Sequence, residues 1–199
     1  MIVLVRHGQT DANRAGRLLG RADPPLNARG REQAAALGTA LEAGPAPQVV
    51  VTSPLLRTRE TAAAIGDATG VPVWTDERLI ELDYGDWDER LLTDVPGDVA
   101  ARWRSDPSFA APGGESLVDL RTRIVPCAES LMDLARDGLV IAVSHVSPIK
   151  AIICWALELD DGYAWRLRLD VASISRLATG LSGPVLVTFN ETGHLRATG

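Results

Sequence analysis

Three short runs in this chain are apolar without alternation, and they narrow what it can fold into. Ile2-Val-Leu-Val5 is apolar at every position, and Val49-Val-Val-Thr52 and Leu139-Val-Ile-Ala-Val143 read the same way. A strand with one wet face alternates, whereas a strand buried on both faces does not. Helical patterns lie between the runs. Asn27 can cap a helix reaching about Ala43, with Ala34, Leu37 and Leu41 as its apolar stripe and Gly44 as its stop. Ser53-Pro54 offers an N-cap and first turn for a second helix ending near Gly70. Ser116 opens a third, with Leu117, Leu120, Ile124, Leu131 and Leu134 at helical spacing, and Pro126 is expected to kink it. A fourth is expected after Pro148. Residues 171–179 and 185–190 flank Gly-Leu-Ser-Gly at 180–183, which predicts an antiparallel hairpin. The alternation predicts an α/β fold, a three-layer sandwich whose mostly parallel central sheet is flanked by helices. The segment around 76–114 is rich in acid, Pro and Trp and is expected to form a small cap or lid.

The chain has 199 residues, enough for one domain over 1–199 with a substantial core. Its two cysteines, Cys127 and Cys154, sit in apolar helical patterns, so buried free thiols and a reducing compartment are expected. The apolar start breaks off at Arg6, too short for a targeting core, and the stretch near 149–159 is too short for a membrane span. A cytoplasmic location with no membrane partner follows. The net charge of −6 argues against a nucleic-acid partner, which needs a basic face.

In such sheets ligands bind beyond the carboxyl ends of the strands. Arg6-His7-Gly8, Ser53 to Arg57 and Ser144-His145 all fall there, so two of the three histidines follow strands. A phosphoryl group needs cationic and hydrogen-bonding donors around its oxygens, and arginine offers two at once. Glycine lets the backbone approach, and a short helix opening near Thr10 adds free amides. A neutral imidazole in that setting can attack phosphorus. Asn13 has the blander alternative of capping that short helix. Arg21 and Arg59 read as surface arginines, Lys150 as a stem covering a helix surface, and His194 as exposed and inert.

The run Leu4-Val-Arg-His-Gly-Gln-Thr-Asp-Ala-Asn13 resembles the signature of the histidine phosphatase superfamily, also called phosphoglycerate mutase-like. Ser53-Pro-Leu-Leu-Arg-Thr-Arg-Glu-Thr61, Glu81-Leu-Asp-Tyr-Gly-Asp-Trp87, Pro112-Gly-Gly-Glu-Ser116 and Val143-Ser-His145 resemble its later stations in the same order. Two places depart from it. Val146-Ser147-Pro148 stands where Gly-Gly is frequent, and Asp88-Glu89 where a glycine commonly follows the tryptophan.

The resemblance implies catalytic roles for His7, Glu81 and His145. His7 is the nucleophile and Glu81 the proton donor, with Asp83 its runner-up. It implies a phosphate site made by Arg6, Asn13, Arg57 and the Val146 amide, with no metal and no cofactor. The implied activity is hydrolysis of a small phosphate monoester through a phosphohistidine. A cofactor-dependent phosphoglycerate mutase is the alternative, and an inactive phosphate-binding module a weaker one. Sugar-glycerate phosphates, ribazole phosphate and 3-phosphoglycerate are candidate substrates. Oligomeric state stays open, with a homodimer common in the family.

Overall fold

The computed structural model describes residues 1–180 and 183–198. Along the chain run β1 (Ile2–Arg6), α1 (Asp11–Arg14), α2 (Ala28–Glu42), β2 (Pro47–Thr52), α3 (Leu56–Thr69) and β3 (Val73–Thr75). After them come α4 (Gly97–Ser105), α5 (Leu117–Leu134), β4 (Leu139–Ser144), α6 (Val146–Ala156), β5 (Ile174–Gly180) and β6 (Gly183–Glu191). The strands form one sheet in the order β3-β2-β4-β1-β5-β6. β1 to β4 pair in parallel, and β5 and β6 add an antiparallel hairpin at one side. Leu181 and Ser182, the expected hairpin turn, lie outside the described residues.

The unalternating runs have the cause expected of them. Ile2 and Leu4 face one apolar cluster with α5 and α6, whereas Val3 and Val5 face another with α2 and α3. Both faces of β1 are therefore covered, giving three layers. β3 went unpredicted because its three residues are exposed and carry no apolar pattern. Asn27, Ser116 and the left-handed Gly70 end their helices as expected. Two helix starts differ. α3 begins at Leu56, not at Ser53-Pro54, and α6 begins at Val146 with His145 as its N-cap, not after Pro148. α5 continues through Pro126.

The 76–114 segment is a packed cap of three 3-10 turns and α4. Its Trp87 and Trp103 are buried and meet edge to face at 5.4 Å, and Trp103 meets Trp165 the same way at 4.5 Å. Cys127 and Cys154 are buried and free. Among the described residues no helix is long and apolar enough to cross a membrane.

Candidate active site

Strand register brings the two histidines together. Arg6 pairs with Ser144, and the His7 amide donates to the Ser144 carbonyl at 3.1 Å. His7 and His145 thus leave adjacent parallel strands at the same level, with ring centroids 5.1 Å apart. Thr52 pairs with Val143 on the other side of β4, so Ser53 also reaches this level. Its Oγ lies 2.7 Å from His145 Nε2 and accepts from the Leu55 amide at 3.4 Å. That contact was hidden in the sequence, where Ser53 read as a helix cap.

The loop after β1 is pressed onto α2. A Cβ on Gly8 would collide with the Gly30 carbonyl, and one on Gly30 with the Gln9 carbonyl, so both positions need glycine. His7 is buried, and its Nδ1 lies 2.7 Å from the Gly8 carbonyl. A carbonyl only accepts, so Nδ1 carries the proton and Nε2 keeps its lone pair. Burial, then the charges of Arg57 and Arg6, hold His7 well below the usual histidine pKa. Burial, then Arg57, His7 and Arg6, do the same to His145.

Each arginine is fixed at one end and open at another. Arg6 Nη1 donates to the Leu169 carbonyl at 2.6 Å. Arg57, fully buried, donates to the Ala22 and Gly20 carbonyls, each at 2.8 Å. The loop bearing those carbonyls is shaped by Asp88, which accepts from the Gly20 and Ala22 amides at 2.7 and 2.8 Å. Asp88, a departure from the family pattern, thus helps seat Arg57. Arg6 Nε, Arg57 Nε and His145 Nδ1 are all buried without a hydrogen-bond partner among the described residues. A buried donor left unpaired costs about 1–3 kcal/mol. Three such nitrogens beside the free Nε2 of His7 make a site that an anion would complete.

Glu81 is buried at the N-terminus of α6. Its carboxylate accepts from the amides of Leu82 at 2.7 Å and of Ser147 and Val146 at 3.2 Å. Burial raises its pKa, against the lowering pull of the Leu82 amide, Arg57, Ser147 and Arg6. The Val146 amide, expected at the phosphate, is therefore engaged by Glu81. Arg123 holds the Glu81 segment. It donates to the carbonyls of Arg78, Ile80 and Glu81 at 2.7–3.0 Å and to both oxygens of Glu115 at 2.7 and 2.8 Å. Glu115 of the Gly-Gly-Glu-Ser run thus anchors the arginine that anchors this segment. Asp83 lies on the half-exposed side, accepting from the Gly85 amide and 4.0 Å from Arg21.

Asn13 closes a capping box with Thr10, its Oδ1 accepting from the Thr10 amide at 3.1 Å. Its amide nitrogen donates to no described residue. Arg59 is exposed as expected. His194 is not exposed: it is half-buried, with Nε2 donating to the Ala172 carbonyl at 2.9 Å. Among the described residues no group of three or more His, Cys, Asp or Glu is placed to hold a metal ion.

The model of the histidine phosphatase superfamily (branch 1) matches residues 2–192. The chain is 35% identical over 98% of its length to a bifunctional protein of Mycobacterium tuberculosis, covering 54% of that protein. It therefore spans about half the length of that relative. It is 34% identical over 98% of its length to phosphoserine phosphatase 1 of Hydrogenobacter thermophilus, covering 93% of that protein. Mycobacterial glucosyl-3-phosphoglycerate phosphatase, solved in complex with VO3, superposes with a TM-score of 0.87 at 32% identity, covering 96% of this chain and 99% of that one.

Proposed function

This chain belongs to the histidine phosphatase superfamily, branch 1, and from that premise we propose that it hydrolyses small phosphate monoesters, without a metal, through a phosphohistidine at His7. The observation that carries the reading is the set of three buried, unpartnered nitrogens, Arg6 Nε, Arg57 Nε and His145 Nδ1, around an imidazole whose Nε2 is free. Phosphatase-named relatives covered over most of their length support it.

The residues divide the work. The lone pair of His7 Nε2 forms a bond to phosphorus as the bond to the ester oxygen breaks. Arg6, Arg57 and His145 stabilise the charge on the non-bridging oxygens. Ser53 donates its hydroxyl proton to His145 Nε2, which keeps the imidazole proton on Nδ1, facing the phosphoryl group. The Asn13 amide nitrogen is a further donor. Glu81 enters protonated, favoured by its raised pKa, and gives its proton to the departing oxygen. As carboxylate it then takes a proton from water, whose oxygen attacks phosphorus. The P–N bond breaks, and His7 returns neutral. The Val146 and Ser147 amides steady the carboxylate form.

Rapid quenching with ³²P-labelled ester tests this. The wild type is expected to carry an acid-labile, base-stable label with unchanged turnover in EDTA, and to release inorganic phosphate without a bisphosphate primer. The folded His7→Ala chain is expected to carry no label and to lose at least about 10⁴-fold in kcat. Label retained in that variant, or a metal-restored loss on chelation, would refute the mechanism.

A further inference from the structure

Beside Glu81 lies a cavity of about 170 Å³, chemically different from the histidine site. Leu18, Leu82, Tyr84, Trp103 and Trp165 form its walls, and Lys150 supplies its only formal charge. Val146 and Ser147, whose amides hold Glu81, also line it, so it adjoins the Glu81 carboxylate. Lys150 is the only lysine in the chain. It contributes to this wall and makes no hydrogen bond or ion pair with any described residue.

Arg123 is paired with Glu115, Arg78 with Asp76 and Arg121 with Asp161. Burial and the charge of Arg6 work against the Lys150 ammonium, and Glu81 and Cys154 favour it more weakly. Trp165, on the same wall, has a buried indole N–H with no acceptor. The cavity thus holds donors, and among the described residues no carboxylate lines it.

We propose that this cavity is the subsite for the alcohol part of the substrate, and that Lys150 selects phosphate monoesters whose alcohol carries a carboxylate on a compact, largely apolar body. The assignment rests on the phosphatase reading of the adjoining site. A carboxylate brings one negative charge, which one ammonium and one indole N–H can meet. A second phosphoryl group brings up to two charges and three acceptor oxygens, more than this wall can satisfy. A bare polyol brings no charge to meet the ammonium and would set most of its hydroxyls against leucine and tryptophan.

A matched pair of esters tests it: 4-carboxybenzyl phosphate and 4-methylbenzyl phosphate, with nitrophenyl phosphate as reference. The wild type should favour the carboxylate ester by at least about tenfold in kcat/KM, the worth of one hydrogen bond to a charged group. Lys150→Met should bring that ratio to within about twofold of one, and Lys150→Arg should keep most of it, both judged on protein of unchanged unfolding midpoint. A wild-type ratio near one overturns the subsite whatever the variants do, and so does a preference that survives Lys150→Met. If the wild type hydrolyses nitrophenyl phosphate but shows no preference, the subsite alone falls. If it hydrolyses none of the three, the phosphatase reading falls with it.

Discussion

The histidine site and the cavity beside Glu81 are two halves built on opposite principles. The phosphate half stands on the carboxyl ends of β1, β2 and β4, where register holds His7, His145 and Ser53 at one level, and it is polar and buried. The proposed alcohol half is lined by aromatic and leucine side chains, of which Leu82, Tyr84, Leu92 and Trp103 come from the 76–114 cap, with one unpaired ammonium. The first offers donors for any phosphoryl group, and the second offers shape and a single charge. On the proposed reading the strand ends carry the chemistry, and the cavity, with Lys150 of α6 in its lining, carries the choice of substrate. Glu81 stands at the boundary, on the cap by sequence and on α6 by its hydrogen bonds.

The boundary residue gives the largest test of this division. Glu81→Gln should slow alkyl phosphates by about 10²–10⁴-fold, the usual worth of general acid catalysis. Nitrophenyl phosphate, whose leaving group hardly needs a proton, should suffer far less. Asp83→Asn should do less than Glu81→Gln, because Asp83 is half-exposed and bonded away to Gly85. A reversed ranking in steady-state kinetics would move the acid to Asp83.

Within the phosphate half, substitution should ignore the alcohol. Arg57→Lys keeps a charge but not the planar fork that holds the Gly20 and Ala22 carbonyls while leaving Nε open. The expected loss in kcat/KM is about 10²–10³-fold, equal for benzyl, alkyl and nitrophenyl esters. Losses that track the alcohol would show that the halves are not separable.

The smallest effect is on stability. Unfolded, His7 and His145 take protons near pH 6.5; folded, burial first and the adjoining arginines next keep them neutral. Below pH 6.5 the unfolded chain therefore binds more protons, and the folded state loses stability as pH falls. Glu81 works the other way, because burial raises its pKa from 4.5 and lets the folded chain take its proton first. Two imidazoles outweigh one carboxyl. Each costs up to about 1.4 kcal/mol per pH unit, equivalent to roughly 3–5 °C in unfolding midpoint for a chain of this size. Calorimetry from pH 7.5 to 5.5 should show the decline, made shallower by His7→Ala. A flat profile in both proteins would contradict the buried, neutral pair.

Much of this molecule was legible locally. The buried strands declared themselves because a strand covered on both faces has no polar position to alternate with, and Asn27, Ser116 and Gly70 marked helix ends through bonds spanning three or four residues. Arg6 and His7 were legible because they adjoin such a strand. What tertiary structure alone decided lies between residues far apart in the chain. Ser53 reaches His145 across 92 positions, and Glu81 takes amides from Val146 and Ser147 across 65 and 66. Asp88 shapes the loop that seats Arg57, and Lys150 of α6 comes to line a mostly apolar cavity. The reason is geometric. Periodicity and capping act within a turn or two of chain, whereas the partner of a side chain across the sheet is set by register and by what packs above it.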